Sequence, residues 1–303
     1  MKYIPFVYHA SYSQLALPST HRFPTSKYHN LYQHALKHQL LFEQYRQTPS
    51  PIDKEILYGI HCPLYVEQFI NGTLDHKAQR RIGFPWSNEL VRRTLHAVNG
   101  TRLCAELALE HGIAVHLTGG YHHAHYDFGS GFCIFNDLVI AAKSAIDAKK
   151  ADKVLIFDCD VHQGDGTATL TQGHSDIISC SIHCAQNFPS RKQQSDHDID
   201  LDKGCTDSDY LDHIRQILPY LIRLHQPDLI IYDAGVDIHQ HDDLGYFAIS
   251  TQGILDRDKQ VISIAKMHNI PLAAVIGGGY SRNEDELTLR HSQLLIAANQ
   301  LWL

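Results

Sequence analysis

No run of eighteen consecutive apolar residues occurs in this 303-residue sequence, so no membrane-spanning helix is expected. No Cys-x-x-Cys pair occurs either. Seven cysteines, an odd number without framework spacing, speak for free thiols in a reducing compartment. Charge is sparse at 19% of residues, with 26 Lys plus Arg against 33 Asp plus Glu and a formal net charge of -7. That balance offers no global attraction to nucleic acid or to an anionic membrane. Low-complexity linkers and internal repeats are missing. Pro49-Ser50-Pro51 and Gly83-Phe84-Pro85 punctuate the first third without marking a boundary, so one domain over 1–303 is expected. The opening stretch MKYIPFVYHASYSQLALPSTH lacks the apolar core and cleavage site of a secretory signal, and a cytoplasmic location is the expectation.

What is present is a 44% hydrophobic chain, ample for a real core, with 23 histidines scattered mostly singly. Short apolar runs alternate with longer helical patterns. Strands are expected at Phe6–Tyr8, Ile56–Gly59, Ala114–Leu117, Lys153–Phe157, Asp176–Ser181, Leu229–Tyr232 and Leu272–Ile276. Helices are expected at Tyr28–Tyr45, Asn88–Glu110, Asn136–Lys149, Ser208–His225, Gln252–Met267 and Glu284–Gln300. The rhythm is βαβ. Nearly continuous apolar strands such as VLIF and LIIY suit a parallel sheet covered on both faces.

Four polar, glycine-rich stretches follow strands: GGYHHAHYDFGSG, DCDVHQGDG, DAGVDIHQHDD and GGGYSR. Open α/β sheets carry their chemistry beyond the strand C-termini, so the four are expected on one edge. In the second stretch Asp158, Asp160 and His162 alternate, and an extended backbone would aim all three to one side. Asp160 and His162 can hold a metal, with Asp237 as third ligand. Two carboxylates and one imidazole leave a position open, which is the pattern of catalytic rather than structural zinc; iron, cobalt and manganese stay open. The bland alternative is that Asp160 and His162 cap nearby backbone groups. Asp158 has three readings: it orients a histidine, helps hold a monovalent cation, or caps a turn.

Adjacent His122 and His123 are bracketed by glycines. Near a metal one could accept a proton while the other stays charged, with Asp158 and Asp165 available to tune the two pKa values apart. Two solvent-facing loop histidines are the alternative. Gly277-Gly278-Gly279-Tyr280 has no following Lys-Ser or Lys-Thr, so it is not a phosphate-binding loop, and GGYHHAHYDFGSG fails the dinucleotide fingerprint. Tyr280 can instead offer its hydroxyl to a developing oxyanion, or simply pack on the turn. The loop HRFPTSKY, 21–28, is read as bordering the entrance, where His21, Phe23 and Lys27 could contact substrate; the bland alternative, preferred for Phe23, is a loop packed onto the sheet. Cys133 is placed at the start of a FCIFND helix beneath the pocket, without a nucleophilic role.

Taken in order, GGYHHAHYDFGSGFCIFND, DCDVHQGDG, SCSIHC, YDAGVD and GGGY resemble the arginase/deacetylase superfamily, and more closely the zinc-dependent histone deacetylase-like amidohydrolases. The resemblance runs from about Tyr8 to Ile296. Gln163 and the GFPWS stretch look like class IV and bacterial members. The resemblance implies a single-domain α/β fold with a central, mostly parallel eight-stranded sheet flanked by helices. It implies Zn2+ held by Asp160, His162 and Asp237. It implies a catalytic pair in which His122 faces Asp158 and His123 faces Asp165, with Tyr280 as oxyanion donor.

An acyl-lysine channel along Gly131 and Phe132 is implied as well, and a K+ site at Asp158, the backbone of Asp160 and His162, Ser181 and Ile182. Leu244-Gly245 falls where the family carries a short turn. The family usually has a second histidine at Gln163, a position that is not a ligand. The arginase branch needs two manganese ions and further carboxylates, and His122, His123 and Tyr280 weigh against it. The implied activity is hydrolysis of acetyl- or longer acyl-lysine in a peptide or protein, or of a small acetylated amine or polyamine. A catalytically silent acyl-lysine or protein-binding module is the reading from another class. Oligomeric state stays open.

Overall fold

The structure, a computed structural model, describes residues 3–303. Among these residues eight strands form one sheet: β1 (Phe6–Val7), β2 (Arg46–Gln47), β3 (Ile113–His116), β4 (Val154–Asp158), β5 (Ile177–Cys184), β6 (His197–Leu201), β7 (Leu229–Asp233) and β8 (Leu272–Val275). Their order is β2-β1-β3-β8-β7-β4-β5-β6, and every neighbouring pair is parallel. Val154, Leu155, Ile156 and Phe157 are fully buried, as continuous apolar strands between helical layers must be. Each such side chain contributes roughly 1.5–3 kcal/mol by leaving water.

The helices are α1 (Lys27–Lys37), α2 (Lys54–Tyr58), α3 (Pro63–Ile70), α4 (His76–Ile82), α5 (Asn88–His111), α6 (Asp137–Asp147), α7 (Asp165–Thr171), α8 (Asp207–His225), α9 (Thr251–Met267) and α10 (Glu284–Trp302). Caps set several of their starts. Ser87 accepts the N–H of Leu90 at the head of α5, and Asn136 accepts that of Val139 at the head of α6.

Several expectations need correction. Ile56–Gly59 is not a strand: it falls within and just beyond α2, with Glu55 in the first turn, where Leu57 alone is fully buried. The helix from Tyr28 stops at Lys37, because Gln39 takes a left-handed φ of 55° and closes the turn; only a short 3₁₀ turn, Glu43–Tyr45, follows. The helix expected from Ser208 begins at Asp207 after Thr206. Cys133 precedes the helix instead of starting it, since the cap is Asn136. Strands β2 and β6 went unread. One is two exposed residues, and the other, HDIDL, is a half-exposed edge rich in charge.

Sheet order places the chemistry. Strands β3, β8, β7 and β4 are consecutive neighbours, and they are the strands that lead into GGYHH, GGGY, AGVD and CDVHQGDG. Because all run the same way, the four loops leave from one edge, at the centre of the sheet.

Candidate active site

Strand β4 ends at Asp158, and the alternation expected through His162 breaks there. Asp158 Oδ1 accepts the N–H of Asp160 at 3.0 Å, and Asp160 Oδ1 accepts that of His162 at 2.9 Å, so the chain turns instead of extending. Asp158 and His162 therefore belong to different clusters. Donor atoms of Asp160, His162 and Asp237 lie within 4.8 Å of one another, all buried. His162 Nδ1 is 2.9 Å from Asp160 Oδ1 and 3.2 Å from Asp237 Oδ2. Asp237 is positioned by the N–H of Val161, which donates to its Oδ1 at 3.0 Å. Its turn is held from α9: the fully buried Arg257 donates to the carbonyls of Gly235 and Ala234 at 2.5 and 3.0 Å.

This donor set fits a divalent cation. Although His162 Nδ1 is near, Asp237 Oδ2 receives no well-directed hydrogen bond, an orphaned buried carboxylate oxygen. Gly278 lines the same space, where a Cβ would come 2.1 Å from Asp237 Oδ2 and 2.3 Å from Asp160 Oδ2. The cluster also draws positive charge to itself. Burial opposes a proton on His162, yet Asp160 and Asp237 outweigh it and raise the imidazole to about 10. Burial and the Asp160 charge push Asp237 up to about 6.

Beside it stand two Asp–His pairs. His122 Nδ1 is 2.7 Å from Asp158 Oδ2, and His123 Nδ1 is 2.6 Å from Asp165 Oδ1. Their Nε2 atoms face each other at 3.1 Å. Burial disfavours charge on both. For His122 it is overcome by Asp158 and Asp160, which hold the imidazole well above its usual range. For His123 burial and the charge on His122 win over Asp165 and lower it to about 4. The pair thus carries one positive charge near neutrality, on His122. Tyr280 keeps its hydroxyl proton, because burial and the charges of Asp160 and Asp237 push its pKa well above 10.

Gly131, Phe132, Phe23 and Tyr280 wall a cleft that reaches His122, His123, Asp160 and His162. Phe132 holds a left-handed φ of 67°, and a Cβ on Gly131 would come 2.7 Å from the ring of His123. Opposite, the exposed Phe188 meets His123 edge-on at 4.8 Å. Cys133 also lines the cleft, but burial raises its thiol well above 9, so it is no thiolate nucleophile. Of the entrance loop, His21 pairs with the carbonyl of Gly83 and Phe23 packs on Phe84 and Phe132. Lys27 lies deeper than an entrance: its buried ammonium donates to the carbonyls of Gly277 and Gly279 at 3.1 and 3.4 Å. Ser181 is registered beside Asp158 across β4 and β5, with Ile182 next along the strand.

Sequence reasoning passed over four residues here. His125 shares Asp165 at 3.1 Å, and the buried Asp233 completes a second cluster with His122 and Asp158. His61 and Asp242 tie the loops together. Only Asp233, standing directly after LIIY, carried a positional signal in sequence.

A family model described as "Histone deacetylase domain" matches residues 21–294. The chain belongs to the histone deacetylase family. This histone deacetylase family member is 45% identical to an uncharacterized protein of the cyanobacterium Picosynechococcus over 298 residues, 98% of this chain and 99% of that one. It is 30% identical to histone deacetylase 2 of Arabidopsis thaliana over 297 residues, covering 92% of this chain and 75% of the relative. Among solved structures, the crystal structure of the HDA15 HD domain superposes with a TM-score of 0.80 at 17% identity, over 100% of this chain and 91% of that one, a likeness of fold. Among the described residues no helix is long and apolar enough to cross a membrane.

Proposed function

We propose that this chain hydrolyses an N-acyl amide, with acetyl- or longer acyl-lysine in a peptide or protein as substrate, and that residues 1–303 are its single catalytic domain. One observation carries the reading: two Asp–His pairs whose imidazoles differ in protonation face each other beside the Asp160–His162–Asp237 donor set. Asp160, His162 and Asp237 would hold zinc. A zinc ion bound there supplies Lewis acidity, polarising the acyl carbonyl and making water a better nucleophile near neutral pH.

The side chains do the rest. His123, neutral and oriented by Asp165, accepts the water proton and passes it to the leaving amine nitrogen. His122, kept charged by Asp158 and Asp160, stabilises the negative charge that develops on the oxygens of the reacting carbon. Tyr280 donates its hydroxyl to the oxyanion. Gly131 and Phe132 flank the aliphatic part of the lysine. The amide C–N bond breaks, a C–O bond forms, and a carboxylate and an amine leave. A K+ ion at Asp158, the backbone of Asp160 and His162, Ser181 and Ile182 would brace the base of the loops.

The class IV and bacterial branch is the subclass we assign, supported by Gln163 and the GFPWS stretch before the long helix. All seven cysteines are unpaired, which supports a reducing, cytoplasmic setting. The test is a hydrolysis panel of acetyl-lysine peptides, myristoyl-lysine peptides and acetylated polyamines, each with and without chelator. Chelator-sensitive release from a lysine peptide is expected. Turnover of polyamines alone would move the substrate to small amines, and no turnover of any member by metal-replete protein would reject the hydrolase reading.

A further inference from the structure

We infer that Asp242 is a positioning residue for Tyr280: its half-buried side chain fixes the tyrosine's backbone and with it the direction of the phenol. The inference rests on the role given to Tyr280 above. Asp242 lies beyond Asp237 on the loop after β7. Its two oxygens do separate work. Oδ2 accepts the N–H of Tyr280 at 2.7 Å, while Oδ1 accepts those of Leu244 and Gly245 at 2.9 and 3.1 Å. The next residue closes the clamp, because the N–H of Asp243 donates to the carbonyl of Tyr280 at 3.0 Å.

Both backbone polar groups of Tyr280 thus end on one two-residue segment. The need is local. Tyr280 follows Gly279, whose φ of 153° lies where L side chains are rarely found, so the local chain preference at that glycine does not by itself fix the residue after it. A hydrogen-bond donor helps a reaction only if it is already aimed when charge develops. Something outside the glycine run must therefore aim it. The clamp is itself anchored: Arg290 on α10 donates to the carbonyl of His241 at 3.2 Å. The same segment follows the loop that carries Asp237, so the tyrosine is set relative to the metal donors.

The division of labour between the two oxygens gives the test. Asp242→Asn keeps one carbonyl oxygen for the Leu244–Gly245 turn, which offers two donors, and presents an NH2 to Tyr280. Steady-state kinetics on an acetyl-lysine peptide would compare the metal-replete wild type, Asp242→Asn, Tyr280→Phe and the double variant. Expected is a fall in kcat of about 10-fold or more for Asp242→Asn with KM within about two-fold, at unchanged metal content and melting temperature.

Tyr280→Phe should fall about 10²–10³-fold, and the double variant should match it within about two-fold, since Asp242 works only through the phenol. Multiplying losses, or no loss in Asp242→Asn, overturn the inference. Hydrogen exchange supplies a readout independent of activity. The Tyr280 amide of the wild type should be protected, and in Asp242→Asn it should exchange faster while those of Leu244 and Gly245 do not. A wild-type amide exchanging like an exposed loop overturns the inference whether or not the variant folds. A wild type that hydrolyses no acyl-lysine rejects the functional reading instead, and leaves the exchange result to judge the clamp.

Discussion

The Nε2 atoms of His122 and His123 stand 3.1 Å apart, each imidazole backed at Nδ1 by its own carboxylate. Two positive charges at that distance in a buried site repel strongly, so the pair carries a single positive charge, on His122. Replacing His123 by alanine removes the base while sparing the donor set of Asp160, His162 and Asp237. Turnover should drop by about 10²–10⁴-fold. Metal content measured on the same sample should stay that of the wild type, and full retained activity would reject the assignment.

The acid limb of the pH profile should report His123. Burial and the charge on His122 lower it to about 4, so the base stays neutral from pH 7 down through pH 6 and is lost only as pH falls through about 4. Asp165 acts in the opposite sense, raising that pKa. Asp165→Asn should therefore move the limb to lower pH and reduce kcat by weakening the base. A rapid-mixing pH-jump assay separates this from unfolding. A limb that moves to higher pH contradicts the electrostatics.

Metal binding should release protons. Without a cation His162 keeps its proton up to about 10, because Asp160 and Asp237 outweigh burial. A metal ligand must be neutral at the donating nitrogen, so a divalent ion arriving at pH 8 should displace roughly one proton per site. Calorimetric titration of the metal-free protein in two buffers of different ionisation enthalpy counts that proton. A count of zero would show that His162 is already neutral.

Stability should weaken with acid in a definite window. His61 is fully buried; its Nδ1 pairs with the carbonyl of His125 at 2.8 Å, and its Nε2 accepts the N–H of Asn136 at 2.9 Å. Both bonds suit only the neutral ring. Desolvation lowers its pKa from 6.5 to about 4, so the unfolded chain binds the proton first. The contribution is complete above pH 6.5 and is lost as pH falls towards 4, roughly 3 kcal/mol in all. Denaturant unfolding from pH 7 to 4 should show the loss, and His61→Gln should flatten part of it. Identical pH slopes in both proteins would sink the assignment.

Much of this molecule is written in local order. Apolar runs such as VLIF and LIIY mark buried parallel strands because a sheet covered on both faces needs no polar alternation. Serine, asparagine and glycine signals bound α5 and α6 because helix ends leave backbone groups that need partners. The four loops were visible because each is a polar, glycine-rich stretch that directly follows an apolar strand. Tertiary structure alone decided what meets what. Sheet order made β3, β8, β7 and β4 neighbours, and that brought His122, Tyr280, Asp237 and His162 to one cleft from distant parts of the chain. It also sent Asp158 to His122 instead of to His162, sank Lys27 beneath the glycine run, and split the protonation of two adjacent histidines. Periodicity reports which residues leave water. Charge, proton and hydrogen bond depend on distances across the sheet, which no local pattern contains.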